Sequence, residues 1–321
     1  MKPLTILIFS GDRFNINDLL TDIIKLNQSN LNVRVVEWSE DKKILKIKRK
    51  IYNSFKKKIK NFKVYFQKGN WEYKYSKFIN KFKSKYILLL GDDDRINVSN
   101  FKKIYKYLNQ NYSGITLSFS NFKTKKDLKK NNYHSKDRIR SFNLIYDLNK
   151  IGYTSCQIIN VKLLATILKK KNEYLLKTKF PQNFLKIKLI KEYNNWKVLE
   201  LNCIFNHLAS FDDSWIKQNL LIRLKSEYLG YLIPIKKYFS NLETKTIKRI
   251  YFNLFFKNMI SWIFLSIKYF GKEATFQSIK KERQILKEPF LIKLFLCFIY
   301  LSPFFILNYL RVLRRLFILK L

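Results

Sequence analysis

The sequence predicts an α/β fold in which a mostly parallel sheet is flanked by helices and followed by a C-terminal helical region. Short apolar runs alternate with helical patterns between residues 4 and 119, and this order is typical of a parallel sheet. The first run, at 4–9, is continuous and apolar, which favours a strand buried on both faces. Beyond Trp215 the strand patterns stop, and long basic and apolar helical patterns take their place.

The first element, LTILIF at 4–9, is short and apolar, and it ends at the polar turn Ser10-Gly11-Asp12-Arg13. Apolar residues at helical spacing predict a helix over 15–28, and NVRVVEW at 32–38 predicts a second strand. The alternation continues with helix 42–60, strand 62–66, helix 71–82, strand 85–90, helix 98–108 and strand 114–119. Strand-like segments at 152–160 and 196–201 and a helix at 161–170 complete this region.

The helix predicted over 42–60 is strongly basic. Its apolar stripe recurs at helical spacing and consists of Ile44, Ile47, Ile51, Phe55 and Ile59. We interpret the lysines between these positions as a solvated helix face.

The composition excludes a disordered chain, because 47% of the 321 residues are hydrophobic and 17% are aromatic. Lys and Arg number 64 against 23 Asp and Glu, which gives a net charge of +41. Such an excess could neutralise nucleic-acid phosphates. Most of it is Lys, however, and it accompanies abundant Asn, Ile, Phe and Tyr, the set that an AT-rich genome favours. No nucleic-acid-binding module is recognisable, so we predict no nucleic-acid partner.

The three cysteines and the N-terminus indicate a reducing compartment. Cys156, Cys203 and Cys297 are odd in number and widely spaced, which favours buried free thiols over a disulfide framework or a zinc site. The apolar run at the N-terminus is too short for a signal peptide. We therefore expect the catalytic part to lie in the cytoplasm.

The C-terminal region predicts membrane attachment. An uncharged stretch of 17 residues lies between Lys293 and Arg311 and is interrupted by Pro303. This length is borderline for a spanning helix, which needs about 20 residues. A basic amphipathic tail follows it, as in segments that lie in the membrane interface, and 250–270 could be a second such element. We predict two domains, 1–215 and 216–321, with the second attached peripherally or monotopically to an anionic membrane surface. An ordinary buried helix pair is the alternative.

The segment YILLLGDDDRIN at 86–97 places Asp92, Asp93 and Asp94 directly after a predicted buried strand. Adjacent carboxylates raise one another's pKa and need a compensating cation. Oxygen-rich turns hold Mg²⁺ or Mn²⁺ through one or two carboxylates together with substrate phosphates. A solvated loop or a helix cap at Asp94 or Asn97 is the alternative. The strand before the triplet and the helix after it favour a metal–diphosphate site.

With these motifs the chain resembles a family 2 glycosyltransferase with the GT-A fold. LTILIFSGDR is similar to the first strand and turn of that family, and VRVVEWSED occupies the place of its "VVDDGSTD" strand. LLLGDDDRI resembles the Asp-x-Asp-type metal motif, in the form found in abequosyltransferase-like bacterial enzymes. The resemblance covers about residues 3–215.

The resemblance implies a divalent ion, Mg²⁺ or Mn²⁺, that bridges Asp93 or Asp94 to the diphosphate of a nucleotide-sugar and acts as a Lewis acid. His207 follows a late strand and is a further candidate for a metal or phosphate contact. Arg13 or Arg95 could bind a phosphate or merely pair with the aspartates. The implied nucleotide-sugar contacts are Ser10, Asp12, Arg13, Glu37, Asp92 and Arg95.

The chain departs from the family at the general base. Many members carry a Glu-Asp pair at the start of the acceptor-side helix, where this chain has Pro181-Gln182-Asn183. Amides do not accept a proton near neutral pH. Asp137, Asp212 and Asp213 are the candidate catalytic bases elsewhere, and the sequence does not choose among them.

The resemblance implies a metal-dependent, inverting glycosyltransferase of the hexosyltransferase type. We expect it to move a sugar from a nucleotide-diphosphate-sugar to a lipid-linked or surface-polysaccharide precursor, such as lipopolysaccharide, O-antigen or capsule. It would act at the cytoplasmic face of a bacterial cell membrane. The alternatives are a nucleotidyltransferase, whose Gly-rich first loop is missing here, and an inactive membrane-associated nucleotide-binding module.

Overall fold

The computed structural model of the chain describes residues 3–11, 16–27, 31–67, 82–122, 136–148, 150, 154–169, 181–207, 230–255, 260–281, 290–303, 306 and 309. The chain divides into two compact units. The first comprises Met1–Asn143 and Lys150–Ser210, and the second comprises Leu144–Asn149 and Phe211–Leu321. The domain boundary predicted at residue 215 lies outside the described residues.

The described part of the first unit is built on one nine-stranded sheet. The strands are β1 (Leu4–Ser10), β2 (Leu31–Glu37), β3 (Phe62–Phe66), β4 (Tyr86–Gly91), β5 (Arg95–Ile96), β6 (Gly114–Phe122), β7 (Ile139–Ser141), β8 (Gln157–Asn160) and β9 (Trp196–His207). Their order across the sheet is β3-β2-β1-β4-β8-β6-β9-β5, and β7 pairs with β9.

The first four strands in that order are parallel, as the sequence predicts. β1 lies between β2 and β4, and β2 pairs with β3. The core residues of β1 and β4 are almost completely buried, because helices cover the sheet and leave no face for water. All four strands end at the same edge of the sheet, so the turns that follow them are neighbours.

The other half of the sheet is mixed. β8 runs antiparallel to both β4 and β6, whereas β6 and β9 are parallel. Short β5 and β7 pair with β9 in antiparallel fashion. The predicted strand at 152–160 is shorter than expected, since Thr154–Cys156 forms a 3₁₀ turn before β8 begins. A run of apolar residues carries no information on strand direction, so the sequence pattern could not distinguish this half from the parallel one.

The helices of the first unit match the predicted positions. They are α1 (Ile16–Leu26), α2 (Lys42–Lys58), α3 (Val98–Lys103), α4 (Tyr105–Leu108), α6 (Val161–Lys169) and α7 (Pro181–Tyr193). The single helix predicted over 98–108 is divided at Ile104 into α3 and α4. The helix predicted over 71–82 lies outside the described residues, apart from its last position.

The buried face of α2 differs from the predicted stripe. Ile47 is 47% exposed, whereas Lys48 is completely buried and shares its face with Tyr52 and Phe55. Phe55 of the predicted stripe lies in the core, and Ile51 and Ile59 pack against it. The prediction is wrong at Ile47, and it missed the buried positions of Lys48 and Tyr52. A charged group on the inner face explains the error, because a pattern that counts only apolar residues assigns every lysine to the solvent.

The described part of the second unit is helical. Its helices are α5 (Leu144–Asp147), α8 (Gly230–Tyr238), α9 (Thr244–Leu254), α10 (Ile260–Phe270), α11 (Lys272–Lys281) and α12 (Phe290–Leu301). Ile250, Phe255, Ile263 and Ile299 contribute to its buried apolar interior. None of the helices in the described ranges combines the length and the apolar character that crossing a membrane requires.

Candidate active site

Polar side chains meet at the edge where the parallel strands end. The register aligns Ser10 at the end of β1 with Glu37 at the end of β2, and Phe9 with Gly91 at the end of β4. Ser10, Glu37 and Asp92 all lie in this small region, and each is at most 3% exposed. The structure therefore brings together three of the residues that the resemblance implies as nucleotide-sugar contacts, and that role stays a prediction.

Lys48 of α2 is the positive centre of this cluster. Its Nζ lies 3.2 Å from Glu37 Oε2 and 3.7 Å from Asp92 Oδ2, and all three side chains are nearly or fully buried. It also donates hydrogen bonds to Ser10 Oγ at 2.7 Å and to the Gly11 carbonyl oxygen. Ser10 in turn donates to Asp92 Oδ2 at 3.0 Å. A single buried ammonium group thus pairs with two carboxylates, one at the end of β2 and one just after β4.

Glu37 has further partners within the protein. The Tyr52 hydroxyl donates to Glu37 Oε2, and the Ser39 amide donates to Oε1 at 2.8 Å. Burial, followed by the negative charge of Glu37 and the hydrogen bond to it, raises the pKa of Tyr52, so Tyr52 stays a hydrogen-bond donor. We call Ser10, Glu37, Lys48, Tyr52 and Asp92 the buried network.

Lys48 and Tyr52 are the site residues that the sequence analysis missed. The available signal was the face that they share with Phe55, since three side chains at this spacing lie on one side of a helix. Their alignment with the acidic strand ends became apparent only after α2 was placed against the sheet.

Asp92, Asp93 and Asp94 form a tight turn between β4 and β5. The Asp94 amide approaches the Gly91 carbonyl oxygen at 3.5 Å, and the Gly91 amide donates to Asp94 Oδ2 at 3.0 Å. A Cβ atom at Gly91 would lie 2.8 Å from Asp93 Oδ1 and 3.0 Å from Asp94 Oδ2. The carboxylates of Asp93 and Asp94 therefore converge over Gly91, where a Cβ atom would displace the Asp93 carboxylate.

The three aspartates differ in their surroundings. Asp92 belongs to the buried network, and Asp94 is 5% exposed and accepts a hydrogen bond from the Ser155 hydroxyl. Asp93 is the partly exposed member of the triplet. Two converging carboxylates are donors of the kind that Mg²⁺ and Mn²⁺ prefer when a substrate diphosphate supplies further oxygens. The residues present therefore fit such an ion.

Within the described ranges, no group of three His, Cys, Asp or Glu side chains forms a complete metal site. The backbone of His207 ends β9, but its side chain is not among those described. β5 pairs with β9 through Arg95 and Phe205, in antiparallel register.

Arg95 is engaged by α1. Its Nε donates to Asp22 Oδ2 at 2.6 Å, its Nη2 donates to Asp22 Oδ1 at 2.7 Å, and its Nη1 lies 3.3 Å from Asp18 Oδ2. The bidentate hydrogen bond with Asp22 raises the pKa of Arg95. Neither sequence interpretation, a phosphate contact or a pair with the aspartate triplet, anticipated this partner.

Asp137 contacts groups outside the aspartate turn. Its carboxylate accepts hydrogen bonds from Lys106 Nζ and the Tyr107 hydroxyl, each at 2.7 Å. These bonds lower the pKa of Asp137 and make it a weaker base. The other predicted site residues, Asp12, Arg13, Asp212 and Asp213, lie outside the described residues.

The start of α7 carries the amides found in place of the family's acidic pair. Asn183 is 2% exposed, and its Oδ1 has no hydrogen-bond partner in the part of the chain that the structure describes. One turn later Lys186 is fully buried, and this burial lowers its pKa to about 7. Neither side chain reaches the solvent.

The fold is similar to those of solved glycosyltransferases. A structure of S. aureus TarS residues 1–349 in complex with UDP-GlcNAc matches with a TM-score of 0.60 and 14% identity, over 87% of this chain and 79% of that one. A mannosyltransferase from Pyrobaculum calidifontis, in complex with GDP-Man and Mn²⁺, matches with a TM-score of 0.51 and 9% identity, over 92% and 83%.

No family model matches the chain, and no curated protein sequence matches it. The finer resemblance to abequosyltransferase-like enzymes therefore stays a prediction. At identities this low, a structural likeness shows the fold. The chain has the GT-A-like fold of glycosyltransferases that its sequence predicted.

Proposed function

We propose that the protein is a glycosyltransferase that moves a sugar from a nucleotide-diphosphate-sugar to an acceptor hydroxyl. The main support for the proposal is the aspartate turn at the carboxyl-terminal edge of the parallel strands. The fold around this turn is similar to those of proteins solved in complex with UDP-GlcNAc and with GDP-Man. Ligands of open α/β sheets bind at this edge.

Asp93 and Asp94 would hold Mg²⁺ or Mn²⁺ together with the diphosphate of the donor, and His207 would be a further ligand. A bound cation supplies Lewis-acid neutralisation of the charge on the leaving nucleoside diphosphate. The mannosyltransferase with a similar fold contains Mn²⁺, which supports this choice.

The buried network would support the donor site from beneath. Glu37 and Asp92 already form ion pairs or hydrogen bonds with Lys48, Ser10 and Tyr52. These two carboxylates would therefore hold the strand ends in place rather than contact the donor directly. Trp38 offers a surface for the nucleobase, since its indole is 38% exposed and lies against Gly11 at the same edge.

We further propose that the acceptor is a lipid-linked or surface-polysaccharide precursor at the cytoplasmic face of a bacterial membrane, and that the transfer is inverting. A direct displacement needs a base for the acceptor hydroxyl. The amides at 182–183 cannot take this proton, and the pKa of Asp137 is lowered. Asp212 and Asp213 are therefore the bases that we propose.

The test is a thermal-shift panel of UDP, GDP, CDP and dTDP, each with Mn²⁺ and then with EDTA. A ligand at 100 times its Kd stabilises the folded state by about 2.7 kcal/mol. We expect a shift of several degrees for one nucleotide, abolished by EDTA and by Asp93→Asn. Glu243→Gln removes one exposed carboxylate of the second unit and is the matched control.

Hydrolysis of the matching nucleotide-sugar distinguishes an enzyme from an inactive binding module. Slow release of free sugar, lost in Asp93→Asn, is the expected result. If no nucleotide raises the melting temperature of the folded protein, the proposed donor site is wrong.

A further inference from the structure

Helix α12 has two apolar faces. Ile292, Leu296 and Ile299 point into the second unit and are at most 7% exposed. On the opposite side, Leu294 is 55% exposed, Phe298 is 49% exposed and Leu301 is 78% exposed. Side chains spaced at i, i+4 and i+7 lie on one side of a helix. These three residues and the exposed Cys297 therefore form one continuous stripe, which we call the outer face of α12.

Contacts with α11 and with Phe255 hold the helix in place. Lys272 of α11 donates hydrogen bonds to the carbonyl oxygens of Tyr300, at 2.7 Å, and Ser302, which satisfies acceptors at the carboxyl end of α12. The Phe276 and Tyr300 rings meet edge to face at 5.0 Å between centroids, and Phe255 and Phe295 do so at 5.9 Å. The outer face is thus presented by a well-anchored helix.

Exposing such a face to water is unfavourable, because transferring apolar surface from water into an apolar environment is favourable. Soluble proteins seldom expose contiguous apolar stripes without a binding role. We therefore expect the outer face of α12 to bind a partner.

The charge of this part of the sequence selects that partner. No acidic residue lies beyond Glu288 in the sequence, whereas five basic residues do. Lys293 is exposed on α12 itself, and among the described residues of the second unit the exposed acids are Glu243 and Glu273 alone. A second copy of the chain would bring like charges together, whereas anionic lipid headgroups complement them. Tyr300 and Tyr309 are exposed aromatic residues of the type that concentrates at membrane–water interfaces.

We propose that the outer face of α12 is a docking surface for an anionic lipid bilayer. Leu294, Phe298 and Leu301 enter the interface, and Lys293 contacts the headgroups. The helix lies in the plane of the interface, in the manner of a monotopic amphipathic element. This inference does not rest on the proposed transferase activity, because its observations come from the second unit only.

The experiment is flotation of the full-length protein with phosphatidylcholine vesicles that contain or lack 30% phosphatidylglycerol, a composition chosen as about that of an anionic membrane. We expect binding to the anionic vesicles, and a loss of about tenfold or more in the partition coefficient for Phe298→Asp. Ile47→Asp is the matched control, because Ile47 is 47% exposed and the variant introduces the same charge on the first unit. We expect the control to lose less than about threefold, which is the effect of net charge alone.

Circular dichroism and cooperative thermal unfolding report whether the variants are folded. If Phe298→Asp is unfolded, Leu301→Asp replaces it, since Leu301 is the most exposed residue of the face. Equal losses in the variant and the control, or no binding of the native protein, would overturn the proposal. So would a dimer in sedimentation velocity that Phe298→Asp dissociates while vesicle binding persists. Failure of the nucleotide panel alone would contradict the transferase proposal and leave the docking surface intact.

Discussion

Replacing Lys48 by methionine tests the buried network, because methionine keeps the length of the side chain and removes its charge. Lys48 Nζ lies 3.2 Å from one Glu37 carboxylate oxygen and 3.7 Å from one Asp92 oxygen. At an effective dielectric constant of about 20, unit charges about 3.2 Å apart attract by about 5 kcal/mol. Relief of the desolvation of the lysine offsets part of this loss. We expect a net destabilisation of about 3–5 kcal/mol, the range for breaking one side of a buried ion pair.

The assay is urea unfolding followed by tryptophan fluorescence, with the melting temperature as a second readout. For a domain of this size, each kcal/mol lowers the melting temperature by about 2–4 °C, so the variant should melt about 6–20 °C lower. Lys50→Met is the control, because Lys50 is exposed on the same helix, and it should change stability by less than about 0.5 kcal/mol.

A double variant tests the electrostatic cause. Glu37→Gln in the Lys48→Met background removes the carboxylate that the first substitution leaves uncompensated, so part of the stability should return. The reasoning is refuted if Lys48→Met costs no more than Lys50→Met, or if the double variant is as unstable as the sum of the two single variants.

Two further predictions concern the first unit. Because burial lowers the pKa of Lys186 to about 7, the unfolded chain holds one more proton than the folded chain between pH 7 and the ordinary lysine pKa of 10.5. The free energy of unfolding should therefore rise by about 1.4 kcal/mol per pH unit in this range, and Lys186→Met should remove this contribution. Urea titrations from pH 7 to 9 measure the slope. If the native protein and the variant show the same dependence of the free energy of unfolding on pH, the lowered pKa of Lys186 is contradicted. Gly91→Ala would place a Cβ atom 2.8 Å from Asp93 Oδ1, so we expect it to displace that carboxylate and abolish the Mn²⁺-dependent thermal shift. Native binding by Gly91→Ala would show that the position of the Asp93 carboxylate is not critical.

The parallel strands were predictable because the local pattern suffices for them. Continuous apolar runs predicted β1 and β4, which are almost fully buried, and β-branched and aromatic residues predicted β2 and β3. All four segments were placed to within about one residue. Alternation with helices makes such strands parallel, and parallel strands end at one edge. The location of Asp92 at this edge, beside Ser10 and Glu37, followed directly from the sequence.

The ion pairs were not predictable in this way. Lys48 meets Glu37 and Asp92 from a different element, and its helical pattern alone indicated a solvated lysine. The same limit applies to Arg95, whose partner Asp22 lies on α1. The direction of β8 was also undetermined, because hydrophobicity is the same whichever way a strand runs.

The sequence by itself determined the order of strands and helices, the sheet edge and the acidic turn, because each depends on neighbours along the chain. The tertiary structure decided which carboxylates are neutralised within the protein and which remain partly exposed. It also decided which apolar side of α12 packs inward and which stays at the surface. Both outcomes depend on what a side chain meets from elsewhere in the chain, and pairing of charges and burial of surface are set only when distant elements come together.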